Sequence, residues 1–248
     1  MNQNKYDDPV FFSEYMKMSR STDGLDGAGE WPIFKRMLPE LKGTDVLDLG
    51  CGLGWHCRYV CEQQARSVIG VDLSEKMLAV AREKTTDQQI QYLNMPIEMI
   101  SFPIEQFDLV LSSLAFHYLE AVDLIFKKVH DCLKPGGSFV FSVEHPIFTS
   151  NQTQDWFYDQ AGNRAHWPVD DYQGEGVRQT TFLTEDVIKY HRTISTYINA
   201  LLNADFTIKS VEESYVTEAM IENDSEMADE NRRPMFLMIS AKKEINLD

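Results

Sequence analysis

The stretch "VLDLGCGLGW", residues 46–55, joins an apolar run to three closely spaced glycines. The run contains Asp48, and the glycines are Gly50, Gly52 and Gly54. An unbroken apolar run predicts a buried strand, and a glycine-rich turn after it lets a ligand approach the backbone at the N-terminus of the next helix. The pattern therefore predicts a strand, a ligand-binding turn and a helix.

The glycine spacing separates this turn from two other nucleotide-binding turns. A P-loop ends in Gly-Lys-Ser/Thr, whereas Trp55 and His56 stand at that point. A dinucleotide-binding turn reads Gly-x-Gly-x-x-Gly, one residue longer than the Gly-x-Gly-x-Gly of this chain. The next apolar run, "IGVDLS" (69–74), places Asp72 at the carboxyl edge of its strand, beside the glycine turn. A carboxylate there can accept both hydroxyls of a ribose, so we expect a nucleoside-binding pocket.

Short apolar runs alternate with helical segments along the first part of the chain. The predicted strands are 45–49, 67–73, 90–94, 107–113 and 138–144, and the predicted helices are 54–65, 74–84 and 120–133. Nearly continuous apolar strands are typical of parallel strands covered on both faces, and the alternation predicts right-handed βαβ crossovers. "KPGG" (134–137) predicts a helix stop and a tight turn. Further on we expect a helix that opens at Thr184, then strands at 206–212 and 235–243.

Composition and charge restrict the classes of partner. The chain has 248 residues, a formal net charge of −16 and a pI near 4.7. Such a field repels polyanions, which argues against nucleic acid and anionic membrane surfaces as partners. The first residues lack the basic and apolar regions of a signal peptide, and no apolar run is long enough to span a bilayer. We therefore expect a cytoplasmic protein.

The cysteines have neither a disulfide nor a metal-binding layout. Cys51, Cys57 and Cys61 crowd one turn and helix, and no second Cys/His pair at ligand spacing accompanies them. We expect reduced thiols and no metal site.

Four motifs occur in the same order, and at nearly the same spacing, as in a known protein family. They are "VLDLGCGLGW" (46–55), "IGVDLSEKML" (69–78), "FDLVLSSLAFHYL" (107–119) and "LKPGGSFVFSV" (133–143). With them the chain resembles the class I S-adenosylmethionine-dependent methyltransferases, and more narrowly the type 11, small-molecule branch. The resemblance implies an α/β fold: a Rossmann-like, doubly wound, seven-stranded and mostly parallel sheet whose last strand is antiparallel, with a lid inserted after the fifth strand.

The same resemblance implies one domain over residues 1–248. Its expected parts are an N-terminal helical cap (1–41), a cofactor-binding core (42–144), a lid or substrate insertion (145–182) and a C-terminal helix with strands (183–248). The lid segment is rich in aromatic residues, and its Arg164 and Arg178 could hold an acidic acceptor.

The resemblance also implies roles for residues around S-adenosylmethionine. Against the methionine part of the cofactor it implies Gly50, Cys51 and Gly52, and it implies that Asp48 orients the amino group. It also places Tyr15 and Arg20 on a helix that covers the cofactor, with Arg20 pairing with the cofactor carboxylate. For the nucleoside part it implies that Asp72 binds the ribose hydroxyls and that Leu73 and Met77 lie against the adenine. It also implies backbone contacts from Ile97 and Glu98. Ser113 and Leu114 would lie on the sulfonium side. Pro96 stands where family members usually carry an aspartate at the adenine edge.

Three histidines are candidates for the acceptor side. His117 and His145 follow the fourth and fifth strands, at the carboxyl edge of the predicted sheet. His191 shares the predicted helix face of Val187 and Ile194. A histidine can act as a base near neutral pH, and we expect His145 and His191 on the acceptor side. His117 could instead be a packed or capping histidine, and His191 a core residue.

The predicted function is methyl transfer from S-adenosylmethionine to an oxygen or nitrogen of a small organic acceptor, by a monomer or homodimer. Methyl transfer is an in-line displacement that depends mainly on proximity and a dry pocket. Three alternatives remain open at this point: a non-catalytic protein that binds the cofactor, another transferase or lyase with a related sulfonium cofactor, and a nicotinamide-dependent oxidoreductase. The short glycine turn argues against the last of these.

Overall fold

A computed structural model of the chain describes residues 3–223 and 225–245. The strands are β1 (Asp45–Leu49), β2 (Ser67–Asp72), β3 (Ile90–Asn94), β4 (Phe107–Ser113), β5 (Leu133–Glu144), β6 (Phe157–Tyr158), β7 (Arg164–His166), β8 (Gly176–Phe182), β9 (Thr184–His191), β10 (Phe206–Glu213) and β11 (Phe236–Lys243). The α-helices are α1 (Pro9–Tyr15), α2 (Ser19–Thr22), α3 (Trp31–Met37), α4 (Trp55–Glu62), α5 (Glu75–Glu83), α6 (Val122–Cys132), α7 (Pro146–Ser150), α8 (Ile194–Asn203) and α9 (Glu218–Asn223).

Seven of these strands form the central sheet, in the order β10-β11-β5-β4-β1-β2-β3. Neighbours from β3 to β5 pair in parallel, whereas β11 pairs antiparallel with both β5 and β10. The prediction of a doubly wound, mostly parallel sheet with an antiparallel last strand is confirmed. The order reverses between β1 and β4, and the carboxyl ends of the strands at such a switch point form a natural crevice for a ligand.

The apolar strands are buried because helices cover both faces of the sheet. One face packs on α6 and α8, around a cluster that includes Phe126, Phe141 and Tyr197. The other packs on α3 and α4, around Phe34 and Val60. "KPGG" lies inside β5 rather than before it, and the pairing of β5 with β4 shifts register there, so this turn forms an irregularity at the start of the strand.

The insertion between β5 and α8 contains α7, the β6–β7 ribbon and the β8–β9 hairpin. The predicted helix from Thr184 is wrong: Thr184–His191 is strand β9, paired antiparallel with β8, and α8 begins only after Thr193 caps it. Val187 and His191 are four positions apart, a spacing that places residues on the same side of a strand as well as of a helix. The insertion therefore extends to residue 191.

Arg233 ties this insertion to the segment before β11. Its guanidinium lies over the rings of Phe148, Trp156 and Trp167, at 5.0, 5.4 and 4.2 Å from their centroids. Cation–π contacts of this kind are stronger when they are desolvated, and Arg233 is buried. The aromatic residues that suggested a lid thus form a box around an arginine of the chain itself.

The N-terminal helices cover the opening between the sheet edge and the insertion. Asp8 caps α1 by accepting the backbone N–H groups of Val10 and Phe11. The buried ring of Phe11 meets Phe182 of the hairpin edge to face, with centroids 5.9 Å apart. Within the described residues, no helix is both long and apolar enough to cross a membrane.

Candidate active site

A cavity of about 440 Å³ lies at the carboxyl edge of the sheet, where β1, β2, β4 and β5 end. The glycine turn after β1 forms one wall, and its residues Gly50 and Gly52 have φ values of 79° and 51°. These values fall in the left-handed region that glycine adopts without strain. The backbone N–H groups of Gly50 and Cys51 donate to the carbonyl of Val71, which holds the turn against β2.

Asp72 lies at the end of β2, and each oxygen of its carboxylate accepts a hydrogen bond from a backbone N–H group. Oδ2 accepts the backbone N–H of Gly52 at 2.8 Å, and Oδ1 accepts that of Ser74 at 2.9 Å. Burial raises the pKa of Asp72, while these hydrogen bonds favour the charged form. Asp72 lines the cavity together with the apolar side chains of Leu73, Met77 and Ile97.

A smaller cavity of about 70 Å³ shares Tyr15, Arg20 and Ser113 with the main one. Between them Arg20 donates through Nη2 to both carboxylate oxygens of Glu30, at 2.9 and 2.8 Å. Ser113 Oγ donates to the same carboxylate at 3.3 Å, and Glu30 is only 2% exposed. The two cavities therefore share an ion pair whose anion, Glu30, is buried and whose cation, Arg20, is partly exposed.

The far end of the main cavity contains a second ion pair, and this one is buried. Lys189, on β9, is 1% exposed, and its Nζ donates to Glu144 Oε1 at 2.6 Å and to Gln154 Oε1 at 3.3 Å. Burial alone would raise the pKa of Glu144, but the ammonium of Lys189 holds it below its usual value. Glu144 is thus a carboxylate at neutral pH, and Phe148 and Phe182 line the cavity around it.

His117 lies beside this pair and is neutral. Its Nδ1 accepts the backbone N–H of Glu144 at 3.3 Å, and burial lowers the pKa of the ring to about 4. Because a neutral imidazole carries one proton, that proton is on Nε2. His117 lines the cavity as a hydrogen-bond donor, and its one lone pair is already used.

The structure brings together most of the residues named from the sequence. Those that line the main cavity are Tyr15, Arg20, Gly50, Gly52, Asp72, Leu73, Met77, Ile97, Ser113, Leu114 and His117, and Cys51 lines the smaller cavity. Four others do not line either cavity: Asp48, Glu98, His145 and His191.

Asp48 and Glu98 lie behind the walls of the cavity. Asp48 is 1% exposed, accepts the thiol of Cys57 at 3.2 Å, and has its pKa raised to about 7 by burial. It occupies the layer between β1 and α4, because side chains alternate between the faces of a strand. Glu98 belongs to the 3-10 turn Ile97–Met99, and its backbone carbonyl accepts Lys128 Nζ.

His145 and His191 serve local structure. His145 Nδ1 caps α7 by accepting the N–H of Ile147 at 3.0 Å, and Nε2 lies 2.9 Å from a carboxylate oxygen of Glu213. His191 Nε2 lies 2.9 Å from the carbonyl oxygen of Tyr172, to which only an N–H can donate, so Nδ1 accepts the hydroxyl of Thr149 at 2.7 Å. In both rings, both nitrogens are engaged in hydrogen bonds. Neither histidine lines a cavity, so the structure does not place them on the acceptor side as expected.

Arg178 and Arg164 of the insertion also lie away from the cavity. Arg178 is buried and donates to the carbonyls of Ser150 and Gly174, and Arg164 pairs with Asp229. Neither lines the cavity, so the expectation that they could hold an acidic acceptor there is not met.

Sequence reasoning missed Glu30, Glu144, Gln154 and Lys189. Glu144 had a detectable signal, because it ends the fifth strand at the carboxyl edge, one residue before His145, and alternation sends the two side chains to opposite faces. Glu30 and Lys189 could not be identified from a local sequence pattern, because their ion-pair partners lie 10 and 45 positions away in the chain.

Comparison with known proteins agrees with the geometry. A family model described as a methyltransferase domain matches residues 47–141. An uncharacterised protein of Haemophilus influenzae is 36% identical over 246 residues, which is 96% of each chain. A solved structure from Listeria monocytogenes, described as an S-adenosylmethionine-dependent methyltransferase, is 51% identical with a TM-score of 0.85, covering 89% of this chain and 99% of that one.

A second solved structure supports the same assignment. The S-adenosylmethionine-dependent methyltransferase from Mesorhizobium loti is 48% identical with a TM-score of 0.83, covering 88% of this chain and 100% of that one. Such similarity over whole chains, together with the three motifs (46–55, 69–78 and 107–119) that supply residues of the cavity wall, shows the family. The chain belongs to the class I S-adenosylmethionine-dependent methyltransferases, with the methyltransferase domain of the type 11 family.

Proposed function

We propose that this methyltransferase acts on an oxygen or nitrogen atom of a small, uncharged organic molecule. The observation that carries the proposal is the charge balance of the cavity. Besides neutral His117, the described wall of the cavity has two basic residues, Arg20 and Lys189. Each of them is hydrogen-bonded to a carboxylate. Because Arg20 lies at the end that we assign to the amino-acid part of the cofactor, an anionic acceptor would have to displace Glu144 from Lys189.

The residues present fit S-adenosylmethionine, which supplies an electrophilic methyl group on its sulfonium sulfur. We assign the ribose hydroxyls to Asp72 and the adenine to the apolar wall of Leu73, Met77 and Ile97. The zwitterionic amino-acid end matches the pair of Arg20 and Glu30, cation to carboxylate and anion to ammonium. This extends the role expected for Arg20 and adds Glu30 to the site.

The remaining residues orient the acceptor and exclude water. His117 can donate Nε2–H into the cavity, whereas its Nδ1 is occupied by the backbone of Glu144. Histidine as a general base at this position has no support from the geometry. Rate enhancement then rests on alignment, which can lower a barrier by about 7–11 kcal/mol when reacting groups are held in position.

Size and cover support a small acceptor over a macromolecule. The cavity of about 440 Å³ is in the range of roughly 300–1,000 Å³ that is usual for small-molecule sites. The N-terminal cap meets the hairpin through Phe11 and Phe182, which closes the site over bound molecules. The net charge of −16 also disfavours a polyanionic substrate such as tRNA.

The test has a binding arm and a transfer arm. We expect S-adenosylmethionine and S-adenosylhomocysteine to bind in calorimetry, and Asp72→Asn to weaken both. Asp123→Asn, an exposed aspartate on α6, is the matched control and should leave both affinities unchanged.

The transfer arm uses S-adenosylmethionine with a radiolabelled methyl group. A cell extract separated into small molecules, tRNA and protein should receive label mainly in the small-molecule fraction. The methylated oxygen or nitrogen would lose its proton to solvent, so the labelled product should be uncharged at neutral pH. Label found only in tRNA or protein, or in an anionic product, would contradict the proposed acceptor class. Cofactor binding would remain a separate result.

A further inference from the structure

Two polar groups at the far end of the cavity are held by one ammonium. Lys189 Nζ donates to Oε1 of Glu144 and to Oε1 of Gln154, at 2.6 and 3.3 Å. Because a lysine has no acceptor, the oxygen of the Gln154 amide must be the atom that faces it. The second oxygen of Glu144 and the amide nitrogen of Gln154 therefore remain for another partner.

Neither of these two atoms has a hydrogen-bond partner within 3.5 Å among residues 3–223 and 225–245, although the Gln154 amide lies close enough to the Glu144 carboxylate to lower its pKa. Glu144 Oε2 and Gln154 Nε2 are both buried, and both side chains line the cavity. A buried polar group without a partner costs about 1–3 kcal/mol, so such a pair at a cavity wall points to a ligand that satisfies it.

The two free atoms have opposite requirements. Glu144 Oε2, in an ionised carboxylate, only accepts, so it requires an N–H or O–H of the ligand. Gln154 Nε2 only donates, so it requires a carbonyl oxygen or an unprotonated ring nitrogen. Since both groups are anchored on the same ammonium, a ligand meets them together and needs its donor and acceptor close to each other.

The walls around this polar pair are flat and apolar. Phe148, Phe182 and Phe236 line the same cavity, and the Lys189 ammonium lies 5.0 Å from the centroid of the Phe182 ring. Aromatic faces pack well against a planar ring. The ion pair of Lys189 and Glu144 is already balanced, which favours a ligand without net charge.

From these features, and resting on the proposed function, we propose that the methyl acceptor is an uncharged planar ring with an N–H or O–H directly beside a carbonyl oxygen or ring nitrogen. A lactam and a hydroxy-substituted nitrogen heterocycle have this edge. Glu144 and Gln154 select the acceptor by reading its donor and its acceptor atom, respectively.

Matched fragments test this edge on the unmodified enzyme. The probes are 2-pyridone, which carries N–H beside C=O on a planar ring, and δ-valerolactam, which carries the same edge on a puckered ring. Their N-methyl derivatives replace the N–H donor by a methyl group. Phenol has a donor without the neighbouring acceptor, and benzoate carries a charge. Binding is measured by calorimetry with saturating S-adenosylhomocysteine, so that no methyl transfer occurs.

We expect each lactam probe to bind about tenfold more tightly than its N-methyl derivative, and benzoate to bind more weakly than either lactam. The inference is overturned if neither lactam probe binds at millimolar concentration, if the N-methyl derivatives bind as tightly, or if benzoate binds best. Because this comparison uses the wild-type chain, it does not depend on the folding of a variant.

Two substitutions assign the contacts. Glu144→Gln should remove the preference for 2-pyridone over 1-methyl-2-pyridone, and Gln154→Leu should weaken both compounds by about tenfold. Gln152→Leu, an exposed residue two positions away, is the control and should change neither affinity. Retained discrimination in a folded Glu144→Gln variant would overturn the role of Glu144, and unchanged binding in Gln154→Leu that of Gln154.

The cofactor separates failure of this inference from failure of the proposed function. If S-adenosylhomocysteine binds and depends on Asp72 while the probes show no discrimination, only the acceptor edge is wrong. If S-adenosylhomocysteine itself does not bind, the assignment of the cofactor site fails as well.

Discussion

Gly50 and Ala115 approach each other so closely that a Cβ on Gly50 would lie 2.5 Å from the Cβ of Ala115. This contact presses the glycine turn after β1 against the segment after β4. We expect Gly50→Ala to lower the melting temperature and to weaken S-adenosylhomocysteine binding at least tenfold, because the turn must move out of the cavity wall. Thermal unfolding and calorimetry measure the two effects.

Gly43→Ala is the matched control for this variant. Gly43 has a φ of 75°, close to the 79° of Gly50, but nothing lies within 4 Å of its added Cβ. It should show the cost of the left-handed backbone alone, about 1 kcal/mol or slightly more, with unchanged ligand affinity. Equal effects of the two substitutions on binding would show that the contact with Ala115 does not shape the site.

The pair of Arg20 and Glu30 gives a prediction about the amino-acid end of the cofactor. We expect Glu30→Gln to weaken S-adenosylhomocysteine by about tenfold while the affinity for adenosine, which lacks that end, stays within twofold. Glu14→Gln, at an exposed ion pair with Lys17, should change neither value. A parallel loss of adenosine binding would mean that Glu30 acts through the fold rather than on the ligand.

The fold was accessible from the sequence because its strands carry a local signal. The predicted strands 45–49, 90–94 and 107–113 have the bounds that the structure has. Strands 45–49 and 107–113 are covered on both faces and are therefore mainly apolar, whereas 90–94 is the partly exposed edge strand. The helix predicted from Thr184 is wrong because a spacing of four between Val187 and His191 fits a strand equally well. Periodicity alone does not separate the two over so short a segment.

Site residues could be predicted from the sequence only where a motif lies at the carboxyl end of a strand. Gly52 and Asp72 are neighbours because adjacent parallel strands end at one edge, which the sequence indicates. Glu30 and Lys189 are paired across distant segments, and no local pattern marks them, whereas the position of Glu144 at the end of the fifth strand is a local signal. Asp48 was placed in the pocket by resemblance, whereas strand alternation turns it towards Cys57.

Asp48 predicts an unusual dependence of stability on pH. Burial raises its pKa in the folded state to about 7, well above the ordinary value of 3.8. A group whose pKa is raised on folding stabilises the protein below its unfolded pKa, and that contribution is lost as the pH rises through the folded value. In the wild type, this residue should therefore remove stability between about pH 4 and pH 7.

Asp48→Asn removes this ionisation while keeping the shape. The gain in the free energy of unfolding of the variant over the wild type should grow by about 3 kcal/mol from pH 5 to pH 8. Urea denaturation at both values measures it, and the difference between the two proteins cancels the other titrating groups, such as His117. A constant difference across this range would show that Asp48 does not ionise there.

The bonding of His191 predicts a structural role that differs from catalysis. Its ring connects Tyr172 of the insertion to Thr149 of α7, and both of its nitrogens are engaged. His191→Phe leaves the Tyr172 carbonyl and the Thr149 hydroxyl without this partner, so we expect a loss of about 2–3 kcal/mol in the free energy of unfolding. The affinity for S-adenosylhomocysteine should stay within twofold at a temperature where the variant is folded.

Thr149→Val isolates one of the two bonds and should cost about 1 kcal/mol. A graded loss, larger in His191→Phe than in Thr149→Val, is what a connector between two parts of the insertion would give. If His191→Phe instead kept its stability but abolished methyl transfer to a saturating acceptor, the ring would have to reach the reacting atoms. The hydrogen bonds to Tyr172 and Thr149 would then have to open during the reaction, since neither nitrogen is otherwise free.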